Sequence, residues 1–209
     1  WSALPGDAIV GQWEGGRRLE RSVLLLPKDK VVLLADAVVV PELKHGDQSD
    51  LLAAEIQLRS SLSVSPSIAI DPSEETCEVF GSDGKPRFLA IPLALEEWRE
   101  SCRGHGSLGM SGQRLELKQR AEAGRLYAPL WIDCNAGRLK RLHEQPESNQ
   151  RTWRQLTVAD TRETLRADQA VGFRVQSCLD QWFVYRSLDE ARNRTALGCN
   201  MSSEFLVGR

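Results

Sequence analysis

The chain has 209 residues, of which 41% are hydrophobic, and this is enough for one large globular domain or two small ones. Its formal net charge of -2 argues against a general nucleic-acid-binding protein, which usually carries a basic excess, so no nucleic-acid partner is expected. No apolar run approaches the roughly 20 residues that a membrane-spanning helix needs, so no membrane partner is expected either.

The first two predicted strands form a pair. Leu19–Pro27 and Val31–Val40 are apolar segments joined by the polar turn Lys28-Asp29-Lys30. Asp36 lies inside the second strand, where a carboxylate is unfavourable unless it is paired. We expect its partner to be an arginine on the neighbouring strand, namely Arg17, Arg18 or Arg21. A tuned acid or base at this position is the alternative.

The third predicted strand shows the clearest alternation in the chain. It covers Leu51–Val64 and follows a polar loop at Lys44–Asp50. Apolar and polar residues alternate along it with a period of two, which is typical of a strand with one face in a core and one in water. Ile56, Leu58 and Leu62 are therefore predicted to face the core.

Later segments repeat this pattern of short strands and turns. The predicted strands are Thr76–Phe80, Arg87–Pro92, Arg114–Arg120, Gly124–Asp133, Trp153–Ala159, Ala170–Ser177, Gln181–Leu188, Thr195–Cys199 and Glu204–Val207. Hairpins are expected through the turns at 81–86, 122–124 and 178–180. Leu93–Cys102 is predicted to be a short helix, and Arg138–Gln150 is predicted to be a polar, mobile loop.

More than ten short strands with little helix predict an all-β fold. The expected architecture is an antiparallel β-sandwich or supersandwich. No internal repeat and no linker is visible, so residues 1-209 are predicted to be a single β-sandwich domain. Because the chain opens Trp1-Ser2-Ala3-Leu4-Pro5, with neither an initiator Met nor a signal peptide, we expect a fragment of a larger protein or a processed chain.

The sequence contains no familiar catalytic, phosphate-binding or metal-binding motif. The histidines are far apart in polar or Gly-rich loops and are His45, His105 and His143. The cysteines have neither CxxC nor zinc-finger spacing and are Cys77, Cys102, Cys134, Cys178 and Cys199. The pattern predicts no metal and no cofactor and leaves the catalytic residues unknown. It favours free thiols, with one or two disulfides in an exported protein as the alternative.

Arginines and aromatic residues interleave on the predicted hairpin at 170–188. Arg174 and Gln176 share a face of its first strand, and Trp182 and Arg186 share a face of its second. An aromatic ring beside guanidinium donors suits an acidic sugar, because the ring stacks and the guanidinium binds a carboxylate or sulfate through two hydrogen bonds. Arg174, Trp182 and Arg186 are therefore the candidate carbohydrate-binding residues. The alternative is a Trp in the core with arginines at its rim.

Two segments near the N-terminus carry a resemblance to a known family. They are Arg18–Pro27, with the sequence RLERSVLLLP, and Val31–Val38, with the sequence VVLLADAV. An Arg-bearing strand, a strand ending in Asp and a small apolar pair, and then a long alternating strand are similar to the start of the β domain in heparinase II/III-like polysaccharide lyases.

That resemblance implies a β-sandwich that lies beside an α/α toroid in the same precursor, with the sugar cleft between them. It also implies an exported or periplasmic protein. The family's toroid supplies the principal catalytic residues, so a chain without it is not expected to be active alone.

Three functions remain open from the sequence. The first is a non-catalytic β-sandwich domain that binds or frames an acidic polysaccharide. The second is a structural or protein-interaction β-sandwich without sugar affinity. The third is a self-contained polysaccharide lyase, which would need a pocket that gathers a His, a Tyr and a carboxylate.

Overall fold

The computed structural model describes residues 11–12, 17–40, 55–122, 124–144, 151–161 and 163–209. The strands in these ranges are β1 (Gly11–Gln12), β2 (Arg18–Leu26), β3 (Val31–Val39), β4 (Ile56–Ser63), β5 (Ala69–Pro72), β6 (Val79–Ser82), β7 (Pro86–Pro92), β8 (Gly106–Ser111), β9 (Arg114–Ala121), β10 (Leu126–Asp133), β11 (Arg151–Leu156), β12 (Ala159–Asp160), β13 (Glu163–Thr164), β14 (Ala170–Ser177), β15 (Asp180–Ser187), β16 (Arg194–Ala196), β17 (Cys199–Met201) and β18 (Phe205–Gly208). Helix α1 spans Ala136–Glu144 and is the one helix of the described residues. The predicted all-β fold is therefore confirmed.

The strands form four sheets with antiparallel pairing. Sheet I has seven strands in the order β1-β2-β3-β10-β7-β6-β5, and sheet II has the order β11-β14-β15-β18. Sheet III is β4-β9-β8, and sheet IV is β13-β12-β16-β17. Antiparallel pairing of short strands is what their alternating sequence and short turns favour.

Sheet I is the middle layer of a stack of three sheets. Its strands β3 and β10 are buried along nearly their whole length, because one face of sheet I packs on sheet II and the other on sheet III. On the first face, the rings of Trp131 and Trp182 lie 5.1 Å apart between centroids. On the opposite face, Arg21 Nη2 donates a hydrogen bond to Ser60 Oγ at 3.0 Å. The sandwich formed by sheets I and II thus has a third layer, which is sheet III.

The first predicted pair of strands is confirmed to within a residue at each end. Residues of β2 lie opposite β3, and this register places Arg21 directly beside Asp36. Arg21 Nε and Nη2 donate to the two carboxylate oxygens at 2.7 and 2.9 Å, so the expected arginine partner is present. This bidentate pair accounts for a buried carboxylate inside an apolar strand.

The predicted orientation of the alternating strand is also confirmed. Ile56 and Leu58 of β4 are buried, and Leu62 is partly buried and packs against the same core. The predicted loop at Lys44–Asp50 and the first residues of this strand, 51–54, lie outside the described residues.

Buried apolar residues of sheets I, II and III form one cluster, and a smaller cluster lies between sheets II and IV. That residues 1-209 form a single domain stays a prediction.

The hairpin predicted through residues 122–124 is wrong. Strand β9 pairs with β4 and β8 in sheet III, whereas β10 pairs with β3 and β7 in sheet I. The reason lies in β10, which is apolar on both faces and therefore occupies the centre of the stack. The connection between β9 and β10 carries the chain from one layer to the next.

The short helix predicted at Leu93–Cys102 is also wrong. The backbone there pairs with the segment that precedes β6, since Cys77 N donates to Glu97 O at 2.9 Å and Arg99 N donates to Glu75 O at 2.8 Å. These extended contacts use groups that a helix would have needed for its own hydrogen bonds. Tertiary pairing has overridden the local helical propensity.

A helix forms instead at the start of the predicted loop Arg138–Gln150. Asn135 caps α1, because its Oδ1 accepts hydrogen bonds from Gly137 N at 3.0 Å and Arg138 N at 3.2 Å. Leu139 and Leu142 of α1 are buried against the core. Residues 145–150 lie outside the described residues.

Candidate functional site

The structure does not bring Arg174, Trp182 and Arg186 together on one exposed surface. In the hairpin of β14 and β15, Arg174 lies opposite Phe183, and Val175 lies opposite Trp182. Arg174 is therefore on the other face of the sheet from Trp182 and Arg186. It is exposed and donates to Gln176 Oε1 at 3.1 Å.

The turn explains this difference from the predicted platform. A three-residue turn at 178–180 would have placed Arg174 on the same face as Trp182. In the structure the turn has two residues, because Ser177 pairs with Asp180 and Cys178 adopts a φ of 55°. A shift of one residue in register moves every side chain of a strand to the opposite face.

Trp182 is part of the core. Only 2% of its surface is exposed, and its ring contacts Trp131 across the interface of sheets I and II. The guanidinium carbon atoms of Arg138 and Arg209 lie 4.9 and 5.9 Å from its ring centroid. The alternative interpretation, a core Trp with arginines at its rim, describes this residue better than a stacking platform does.

Arg186 is 8% exposed and is neutralised by carboxylates. Its Nη2 forms ion pairs with Glu20 of β2 and with Glu204, the residue before β18. The pair with Glu20 joins β15 of sheet II to β2 of sheet I. Nη2 of the guanidinium is therefore already paired, whereas Nε is buried and has no hydrogen-bond partner.

A pocket of about 320 Å³ elsewhere in the molecule has the features of a binding site. We call it the Gln119–Tyr127 pocket. Gln119 comes from β9 in sheet III, Tyr127 from β10 in sheet I, and Val171 and Phe173 from β14 in sheet II. Arg125 lines it from the connection between β9 and β10. The pocket lies where the three layers meet, and its volume is at the lower end of those found for small-molecule sites.

Three polar side chains that line this pocket have a buried atom without a hydrogen-bond partner. These atoms are Gln119 Oε1, Arg125 Nε and Tyr127 OH. The other end of the Gln119 amide is fixed, because Nε2 donates to the carbonyl oxygen of Tyr127 at 3.2 Å. Buried polar atoms in folded proteins are nearly always hydrogen-bonded to protein, water or ligand. Three residues with unpaired buried polar atoms therefore line one pocket, an arrangement that suits a polar occupant.

The phenol of Tyr127 is held in its neutral form. Burial raises the pKa of Tyr127 above its ordinary value of 10.0, and the positive charge of Arg186 opposes this only in part. A neutral phenol both donates and accepts a hydrogen bond. The ring of Tyr127 packs against that of Phe173, with centroids 6.4 Å apart, and this contact fixes its position.

The pocket carries a small positive excess. Its charged lining residues are Arg120, Glu122, Arg125, Arg166 and Asp168. Arg120 is paired with Glu55, and Arg166 is paired with Asp168. Among the described residues, no ion-pair partner is found for Arg125, and Glu122 is exposed at the rim. Arg125 is thus the cation best placed to meet an anionic group.

Sequence reasoning did not identify this pocket. The only signal for Tyr127 is a phenol within an otherwise apolar strand, and such residues are usually core residues. Gln119 and Arg125 stand in polar, charged sequence that resembles any exposed strand or turn. Their proximity depends on three sheets meeting.

Neither of the two described histidines lines the pocket. His105 and His143 are exposed, and His45 lies outside the described residues. Within the described ranges, no group of three or more His, Cys, Asp or Glu side chains is arranged to hold a metal ion. No helix in the part of the chain that the structure describes is long and apolar enough to cross a membrane.

Comparison with known proteins gives no match to any family model, curated protein or solved structure. The resemblance of Arg18–Val38 to heparinase II/III-like lyases therefore stays a prediction.

Proposed function

We propose that this chain is a non-catalytic β-sandwich that binds an acidic saccharide unit in the Gln119–Tyr127 pocket. The observation that supports the proposal is the set of buried, unpartnered atoms of Gln119, Arg125 and Tyr127 on one cavity. The proposed ligand class is the one that the arginine and aromatic pattern of the sequence predicts, but the proposed site is a different one.

The chemistry of the pocket matches the groups of a uronic acid. Sugar hydroxyls donate to Gln119 Oε1 and exchange hydrogen bonds with the neutral phenol of Tyr127. The carboxylate pairs with the guanidinium of Arg125, which makes a stronger hydrogen bond than a neutral donor would. The apolar wall formed by Val171 and Phe173 suits the C–H face of the sugar ring.

The pocket offers a binding site rather than a catalytic one. A lyase needs a base that removes a proton from the sugar, together with an acid that protonates the leaving group. Burial raises the pKa of Tyr127, so its phenol stays protonated and has no free site for the sugar proton, and no His is present among the described lining residues. We therefore expect no formation of unsaturated uronate from heparan, chondroitin or alginate substrates. If the chain does turn over one of these substrates, and a single His→Ala substitution abolishes the turnover, a self-contained lyase would be favoured.

Calorimetry with an acidic and a neutral oligosaccharide of equal length tests the proposal. We expect the chain to prefer the acidic one, and we expect Arg125→Gln to weaken binding of the acidic ligand while leaving the neutral one little changed. Arg174→Gln is the matched control, since Arg174 is an exposed arginine outside this pocket. Equal affinity of the wild type for both ligands, or an equal effect of the two substitutions, would contradict the proposal.

A structural or protein-interaction β-sandwich without sugar affinity is the second candidate. The burial of Trp182 favours it, because the exposed aromatic platform that would mark a glycan surface is missing at that hairpin. The same calorimetry separates the two candidates. No binding to either oligosaccharide supports the second.

A further inference from the structure

Two cysteines that are far apart in the sequence meet in the folded chain. Cys77 Sγ lies 3.0 Å from Cys102 Sγ, although the residues are 25 positions apart. Each is 3% exposed. Cys102 Sγ also lies 2.9 Å from the carbonyl oxygen of Glu96, to which it donates. Both thiols are free in this structure.

The backbone, rather than the thiols, holds the two residues together. An antiparallel bridge joins Thr76 to Trp98, and Cys77 N donates to Glu97 O at 2.9 Å. The chain then turns back, so that Cys102 N donates to Trp98 O at 3.3 Å. These bonds set the position of both cysteines independently of any contact between the sulfur atoms. The pair is therefore preorganised for a reaction between them.

The two cysteines border an open cavity. Both cysteines line a cavity of about 870 Å³, whose wall also includes Trp98, Arg99 and Arg103. The remaining cysteines are not paired in this way. Cys134 and Cys199 are exposed, Cys178 is buried beside α1, and in the described ranges no other pair of sulfur atoms lies within hydrogen-bonding distance.

We propose that Cys77 and Cys102 are a disulfide-forming site, oxidised by thiol–disulfide exchange with a small-molecule disulfide. The thiolate of one cysteine attacks a sulfur of the small disulfide, which forms a mixed disulfide and releases one small thiol. The second cysteine then attacks the protein sulfur of the mixed disulfide and releases the other small thiol. In total the protein loses two protons and two electrons, and the small disulfide accepts them and becomes two thiols.

The thiol of Cys77 is a poor attacking group at neutral pH. Burial, followed by the hydrogen bond and the charge of Cys102, raises the pKa of Cys77 to about 12. Only the thiolate attacks a disulfide, so few Cys77 side chains are competent at pH 7. The site thus suits a structural bond that persists in an oxidising compartment, while the same residues remain thiols in a reducing one.

The bond would link two segments that border the cavity. One segment contains Cys77 and leads into β6, and the other contains Cys102 and leads into β8. The closed loop includes the hairpin of β6 and β7. Because a cross-link restricts the unfolded chain, the oxidised protein should be the more stable form.

Peptide mapping tests the proposal directly. The folded chain is incubated with oxidised glutathione at neutral and at alkaline pH, alkylated under denaturing conditions and digested with trypsin. We expect residues 60–87 and 100–103 to be recovered as one cross-linked peptide, more rapidly at alkaline pH, while free thiols fall from the five of the sequence to about three. The melting temperature should rise on oxidation.

Cys102→Ser should abolish both the cross-link and the rise in melting temperature. Cys199→Ser should preserve both, since Cys199 is exposed and lies outside the pair. If Cys102→Ser does not fold, Cys102→Ala takes its place. Peptide mapping of the oxidised wild type shows by itself whether Cys77 and Cys102 are cross-linked. Cross-links that join other cysteines, or a Cys77 and a Cys102 that both remain alkylatable after oxidation, would overturn the proposal.

Discussion

Tyr127→Phe separates a binding role for the phenol from a structural one. The substitution removes only the hydroxyl and keeps the ring that packs against Phe173. Because this buried hydroxyl has no hydrogen-bond partner, its desolvation in the folded state is uncompensated, which costs about 1–3 kcal/mol in measured proteins. The variant should therefore be as stable as the wild type or more stable, by on the order of 1 kcal/mol.

Binding should change in the opposite direction. The variant loses one hydrogen bond to the saccharide, and such a bond contributes about 0.5–1.5 kcal/mol net. This corresponds to binding that is roughly 2- to 13-fold weaker. Urea unfolding monitored by the fluorescence of the chain's six Trp residues gives the first quantity, and calorimetry gives the second.

Tyr185→Phe is the matched control, because Tyr185 is the only other tyrosine of the chain and is also buried. Its hydroxyl does have a partner, since Arg194 Nη1 donates to it at 3.4 Å. We expect this control to lose stability and to bind the saccharide normally. A Tyr127→Phe variant that is less stable by more than about 1 kcal/mol, or that binds as tightly as the wild type, would refute the reasoning.

Three further predictions concern the fold. Leu58→Ala should lower the free energy of unfolding by about 2–5 kcal/mol, because it opens a cavity beneath β4. Asp133→Ala should lower it by about 3–5 kcal/mol, since Asp133 is fully buried and accepts two hydrogen bonds from the buried Arg138, at 2.7 and 2.8 Å. Burial raises the pKa of the Asp180 carboxyl, but hydrogen bonds and charges from Arg209 and Arg138 outweigh it and hold that pKa below 3.8. The stability that Asp180 contributes is thus present above pH 3.8 and is lost as the pH falls further, so the difference between wild type and Asp180→Asn should shrink in acid.

Urea unfolding measures the free energy of unfolding of all three variants, and substitutions of exposed residues supply the controls. Gln57→Ala, next to Leu58 on the solvent face of β4, should change the midpoint little. Asp83→Asn breaks an exposed ion pair with Arg87 and should also have little effect. A cost below about 0.5 kcal/mol for Leu58→Ala would mean that β4 faces the other way. A small loss of unfolding free energy for Asp133→Ala would show that the Asp133–Arg138 pair does not hold α1 against β10. A stability difference between wild type and Asp180→Asn that grows in acid would show the same for the ion pairs of Asp180.

The sequence determined the elements whose signal is local. The alternation of β4 predicted which side chains face the core, and the unfavourable position of Asp36 predicted an arginine from the adjacent strand. The turn between β6 and β7 was predicted from Gly, Asp and Pro, which adopt turn conformations readily. Each of these inferences depends on neighbours within one strand pair.

The tertiary structure decided which elements meet. The expected hairpin of β9 and β10 fails because a strand that is apolar on both faces is most stable between two sheets, and this separation creates the pocket that Gln119 and Tyr127 share. The face of Arg174 depended on one residue of turn length, which several residue combinations permit. Trp182 became a core residue because sheet I covers it, and the sequence of one hairpin does not specify the sheet that packs against it.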